Sequence, residues 1–278
     1  MKQILVPIDF SETSSYALET AANIAREHNS HIILLHMLRG VQLDFDDSKF
    51  DGFMEASYYR DMVKKRIDGF LENGYLKDVS YRTIIQNYRI FKEVGNVALE
   101  HEVDLIVMGS HGVSGIFDQF VGSNTEKVVR SAEVPVLVIK KSRPEFKLNN
   151  VLFACDFKKE SLEAYNKAMR FFNDINCHVQ LLYIHTANDR FTSSVEIENG
   201  VDEFLRLAEN SYYHSSKNTC YRVDHTVEDG IYNYLAREKF DAIAISTHGR
   251  KGLSHFFMGS IGEDIANHTT SPVITFKM

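Results

Sequence analysis

Short apolar runs alternate along this chain with segments whose apolar residues recur every three or four positions. Gln3–Ile8 is a compact apolar run closed by a polar turn, the pattern of a buried strand. Ser14–His28 follows, with Ala17, Leu18, Ala21, Ala22, Ile24 and Ala25 on one helical face. His31–Leu38 reads as a second strand and Tyr58–Leu71 as a helix. Tyr81–Gln86 is a third strand, Ile90–Glu102 a helix, and Asp104–Met108 a fourth strand. Thr125–Ala132 and Pro135–Ile139 close the series as a last helix and a last strand. Strands separated by helices need crossover connections, which predicts a mostly parallel sheet with helices on both faces.

The series then repeats. Ile4-Leu5-Val6-Pro7-Ile8-Asp9-Phe10 returns as Val151-Leu152-Phe153-Ala154-Cys155-Asp156-Phe157, at a spacing of 147. His31-Ile32-Ile33-Leu34-Leu35-His36 returns at the same spacing as His178-Val179-Gln180-Leu181-Leu182-Tyr183. Beyond the second strand the spacing drops to 137: Asp104-Leu105-Ile106-Val107 matches Asp241-Ala242-Ile243-Ala244, and Pro135 matches Pro272. The length difference falls near residues 39–78, around the acidic run Asp44–Asp47, which reads as a solvated loop. The prediction is two tandem α/β domains, 1–141 and 149–278, each doubly wound around a mostly parallel five-stranded sheet. Lys140–Asn149, polar and carrying Pro144, is the expected linker.

Composition narrows the function classes. The 278 residues are 44% apolar and 25% charged, as in a soluble globular protein. A net charge of −7 argues against a dedicated nucleic-acid surface, which needs a basic patch. No stretch approaches the ~18 apolar residues of a membrane span. Cys155, Cys177 and Cys220 form no CxxC pair and no disulfide framework, so a reduced cytoplasm is expected. The histidines show neither HxxxH nor HExxH spacing, and no metal site is assigned.

The most informative stretch is Met108-Gly109-Ser110-His111-Gly112, then nine residues, then Gly122-Ser123-Asn124-Thr125. It follows an apolar strand and opens onto a helix. In a doubly wound sheet that is the carboxyl end of the strands, where ligands bind. Glycines let backbone approach a ligand closely, and free N–H groups at a helix N-terminus attract phosphate. Two readings of Ser123 stand side by side, because Ser123-Asn124-Thr125-Glu126 is also a capping box. The second copy reproduces that box as Ser260-Ile261-Gly262-Glu263.

These residues resemble the universal stress protein family, whose ATP-binding members carry Gly-x2-Gly-x9-Gly-Ser/Thr, and they resemble it twice over the whole chain. The resemblance implies a Rossmann-like, adenine nucleotide α-hydrolase-like fold of the tandem type. It implies that Asp9 contacts the adenine or ribose side, with Pro7 and Ile8 lining the pocket and Met37 or Leu38 packing on the base. Met108, Gly109, Ser110, His111 and Gly112 would pass along ribose and phosphates, with Gly122, Ser123, Asn124 and Thr125 holding the phosphate tail. The implied cofactor is ATP, or AMP or ADP, with Mg²⁺ as a companion ion. In the family the closing strands dimerise single domains. Here the two copies are expected to pair with each other, and the whole chain to form a homodimer.

The second copy departs from the pattern. Ser246 stands where the first has Gly109, although Asp156, Gly249, Gly259 and Ser260 keep a possible second site. Arg250 and Lys251 replace Val113 and Ser114. The first copy carries no Lys or Arg between Gly109 and Asn124, hence no evident clamp for phosphoryl transfer, and no catalytic residue is assigned. The leading expectation is a nucleotide-binding regulatory or sensor module. A slow ATPase or nucleotide hydrolase and a nucleotide-free structural module are its rivals.

Overall fold

The computed structural model describes residues 1–39, 50–88, 93–110, 123–186, 192–209, 215–247 and 271–278. In the N-terminal half, β1 (Gln3–Ile8), α1 (Glu12–His28), β2 (His31–Arg39), α2 (Phe50–Leu71) and β3 (Tyr81–Tyr88) come first. They are followed by α3 (Glu93–Glu100), β4 (Leu105–Gly109), α4 (Ser123–Ser131) and β5 (Val136–Ile139). The C-terminal half contains β6 (Asn150–Ala154), α5 (Leu162–Asp174), β7 (His178–Thr186), α6 (Ser194–Leu207) and β8 (Cys220–Asp224). It ends with α7 (Val227–Leu235), β9 (Ala242–Thr247) and β10 (Val273–Lys277). The acidic run Asp44–Asp47 lies outside the described residues.

Within each half the strands run parallel, and the halves join into one ten-stranded sheet of order β3-β2-β1-β4-β5-β10-β9-β6-β7-β8. The joint is the one antiparallel pairing among the described strands, with Val273 opposite Val138, Ile274 opposite Leu137 and Thr275 opposite Val136. Continuous apolar strands suit a sheet covered on both faces. Ile4, Val6 and Ile8 enter one core with α1, α2, α5 and α6, while Leu5 enters the other with α3, α4 and α7. Both cores run through both halves of the chain.

Local chemistry sets the helix boundaries. Ser11 caps α1 in extended geometry, its Oγ accepting the Ser14 N–H at 3.2 Å, so the helix starts two residues before the sequence pattern suggests. Asn29 ends it in the left-handed conformation, φ 52°. In the second half a 3₁₀ turn, Lys159–Ser161, occupies the place of the first turn of α1, and α5 starts later. Helix α2 reaches back to Phe50, beyond the expected Tyr58.

The linker is more than polar chain. Phe146 and Leu148 are buried in the core shared by both halves, at 6% and 0% exposure. Glu19, on the buried side of α1, accepts hydrogen bonds from Ser142 Oγ (2.6 Å) and the Arg143 N–H (3.0 Å). Asn23 Nδ2 donates to the Pro144 carbonyl at 2.8 Å. The apolar pair was hidden in the sequence by its polar neighbours. Glu19→Ala leaves two donors without their charged acceptor, so unfolding in urea should show a loss of about 2 kcal/mol at unchanged m. The exposed Glu27→Ala should stay within about 0.5 kcal/mol of the parent.

Candidate functional site

The strand order of the N-terminal half reverses between β1 and β4, because β1 connects to β2 on one side and the chain returns on the other. Connections above such a reversal diverge, leaving a crevice at the carboxyl ends of the two strands. A cleft open at its mouth lies there, with about 480 Å³ of empty space when the open solvent in its mouth is counted. Its lining is Pro7, Ile8 and Asp9 from the end of β1, Leu35 and Met37 from β2, Met108 and Gly109 from β4, Ser14 from α1, and Asn124 and Thr125 from α4. An apolar floor thus meets the N-termini of two helices.

The structure therefore brings together Pro7, Ile8, Asp9, Met37, Met108, Gly109, Asn124 and Thr125. Leu38, the alternative to Met37, belongs to the core on the opposite face. Ser110 does not line the cleft; it is buried, and its N–H donates to the Ile139 carbonyl at 2.9 Å, extending the β4–β5 ladder. Ser123 begins α4. The Glu126 carboxylate of the sequence's capping box pairs with Arg130 one turn on. His111, Gly112 and Gly122 lie outside the described residues. The sequence reading missed Ser14 and Leu35. Leu35 was recoverable, since strand alternation puts it on the face of Met37; Ser14 needed the position of the α1 cap.

Three residues gain specific roles. Asp9 Oδ1 accepts the Ser11 N–H (3.0 Å) and the Ser11 hydroxyl (2.5 Å), so it lines the cleft and also holds the cap of α1. Gly109 ends β4 without a positive φ. A β-carbon there would lie 2.7 Å from the Thr13 carbonyl carbon and 2.8 Å from its oxygen, so the glycine is needed for helix–strand contact before any ligand arrives. Thr125 Oγ1 donates to the Gly109 carbonyl at 2.8 Å in a buried setting.

Behind β1, Phe10 adopts the left-handed conformation, φ 66°, unusual for a bulky residue. It is held between the His36 ring (centroids 4.6 Å apart), Phe70 and the Arg66 guanidinium, 4.5 Å from its centroid. His36 Nδ1 lies 2.9 Å from the Ile8 carbonyl, so its neutral ring donates there. Burial holds this imidazole below the usual histidine range. The Arg66 charge pushes the same way, against the Ile8 bond and the Asp9 charge.

In the C-terminal half, Phe157 repeats the left-handed turn at φ 51° and packs on Tyr183 and Phe204. Asp156 is exposed, accepts the Ser161 hydroxyl at 2.5 Å and pairs with Lys158 at 3.8 Å. Cys155 replaces Ile8, and burial drives its thiol far above the ordinary range, which makes it an inert hydrophobe. Gly249, Gly259 and Ser260 lie outside the described residues.

The universal stress protein family model matches residues 1–140 and again 147–277. The chain belongs to the universal stress protein family. A universal stress protein of Bacillus subtilis is 33% identical over 50% of this chain and 98% of its own length. One of Methanocaldococcus jannaschii is 29% identical over 50% of this chain and 95% of its own. The crystal structure of a universal stress protein from Archaeoglobus fulgidus has the same fold across the tandem, with a TM-score of 0.65 at 18% identity, covering 99% of this chain and 96% of that one. No helix among the described residues of this universal stress protein is long and apolar enough to cross a membrane.

Gly109→Ala should destabilise the ligand-free protein by about 1–3 kcal/mol in urea unfolding, because the new methyl meets backbone, which cannot rotate away. Unchanged stability would return that glycine to a purely ligand-directed role. For His36, an NMR titration of the ring should give a midpoint below the unfolded value of about 6.5. Between the two midpoints the unfolded chain binds more protons. The contribution of His36 to stability is thus fully present above about pH 6.5, is lost as pH falls through that value, and levels off below the folded midpoint.

Proposed function

We propose that the N-terminal half of this universal stress protein holds an adenine nucleotide, with ATP the expected ligand, and works as a regulatory or sensor module rather than a dedicated catalyst. The observation that carries this reading is the meeting of an apolar floor with two helix N-termini at the sheet's reversal point. Leu35, Met37 and Met108 suit the face of a purine, with Pro7 and Ile8 beside it. Asp9, at the strand end, suits ribose or adenine contacts. The first turn of α4, with Ser123 and Asn124, suits the phosphates. Gly112, Gly122 and His111 complete the loop in this reading, and Mg²⁺ enters as the counter-ion of the polyphosphate.

None of the described lining residues is a Lys, Arg or His, so charge developing on a transferring phosphoryl group meets no side-chain cation from them. That composition favours binding over efficient turnover. We assign the functional halves to 1–141 and 149–278, the second acting chiefly as partner to the first. A cytoplasmic location and a homodimer of the whole chain complete the proposal.

Calorimetric titration of the full chain with Mg-ATP should show a saturable site. Gly122→Val should abolish that binding while leaving the circular dichroism spectrum and thermal midpoint nearly intact. Absence of both heat and a thermal shift at millimolar Mg-ATP would sink the proposal. A mass spectrum of protein purified without added nucleotide separates its rivals: intact ATP speaks for sensing, ADP or AMP for hydrolysis.

A further inference from the structure

We propose that Thr125 is a positioning residue rather than a phosphate ligand: it latches the first turn of α4 to the carbonyl of Gly109. This latch decides which half of the chain presents a preformed phosphate cradle. The proposal rests on the nucleotide reading of the cleft.

A threonine hydroxyl has one proton to donate. Thr125, only 3% exposed, directs it to the Gly109 carbonyl at 2.8 Å, which leaves only lone pairs, and lone pairs do not bind an anion. The same strand end is closed from the other side by α1, where Thr13 occupies the space that a β-carbon on Gly109 would need. The following residue is pinned laterally by the bond from the Ser110 N–H to the Ile139 carbonyl, 2.9 Å. One residue, Gly109, therefore fixes the position of both helix N-termini that flank the cleft. Donors held in place before a ligand arrives need not be ordered on binding, which is how such a latch raises affinity.

The second half of the same chain supports this reading. At the repeat spacing of 137, Gly109 becomes Ser246 and Thr125 becomes Gly262. The two positions touch in the first half, and both residues differ in the second: a β-carbon stands at the strand end, and glycine, which has no hydroxyl, replaces the threonine. On the α1 side, the counterpart of Thr13 is Glu160, which lies in the 3₁₀ turn Lys159–Ser161 instead of in regular helix. At sequence level the glycine and the threonine of the first half have changed together.

The test compares full-length Thr125→Val, Thr125→Ser and a control, Thr275→Val. The control removes another buried hydroxyl, one that donates to the Val136 carbonyl on the β5–β10 joint. Two quantities are measured: Mg-ATP affinity by calorimetry, and amide hydrogen exchange across residues 123–131 without nucleotide. Thr125→Val should weaken Mg-ATP roughly tenfold and speed exchange in α4. Thr125→Ser should restore both, and Thr275→Val should change neither. If Thr125→Val does not fold, Thr125→Ala carries the same expectation. Parental affinity in Thr125→Val overturns the latch, as does weakening matched by Thr275→Val. If the parent itself gives no heat with Mg-ATP, the nucleotide reading falls and exchange alone decides. Faster exchange confined to α4 then upholds the latch, and unchanged exchange overturns it.

Discussion

Strands β5 and β10 lie side by side, and the rest of the molecule is organised around that contact. A parallel sheet that stopped at β5 would leave a row of amides and carbonyls along an apolar edge, which is a liability in water. Here each half covers the other's edge. Val136, Leu137 and Val138 are buried, as are Val273, Ile274 and Thr275 opposite them. The two apolar cores consequently continue through the joint, one on each face. The linker follows the same logic, with Phe146 and Leu148 sunk into one core and Glu19 holding the turn before them.

Closing the sheet at its centre leaves the reversal point of each half free to form a crevice. In the N-terminal half that crevice is built with little slack. Asp9 holds Ser11, Ser11 caps α1, α1 presses Thr13 against Gly109, and Gly109 receives the hydroxyl of Thr125 from α4. The last link is buried and the others are half-buried. Removal of any one therefore acts on the helix ends through its neighbours, and their effects should not simply add.

The two halves have used one plan differently. Where the first half packs Val6, Leu18 and Ala25, the second packs Phe153, Tyr165 and Phe172 at corresponding positions. These rings form an edge-on cluster with Phe204 and Phe276. The second half fills its core with aromatic bulk. Both halves keep the left-handed Asp-Phe turn although Ser246 stands at the position of Gly109, so that turn belongs to the fold rather than to a ligand.

Much of this was legible in the residues themselves. Buried strands alternating with amphipathic helices carry their period in the order of apolar positions, because each element must bury its own face. The repeat at spacings of 147 and then 137 shows a duplicated unit, and the glycine spacing marks the strand-to-helix turn beside the cleft. Three things depended on residues distant in sequence. Gly109 looked like a residue kept for a ligand, until Thr13 of another element was found against it. The sequence placed Thr125 with the phosphate-holding residues; only the fold shows its proton committed to a carbonyl 16 residues away. The linker looked merely polar, until Phe146 and Leu148 were found in the core. Periodicity reports which face of an element is buried. What that face meets, and which donors are already engaged, is a property of contacts that only the folded chain brings together.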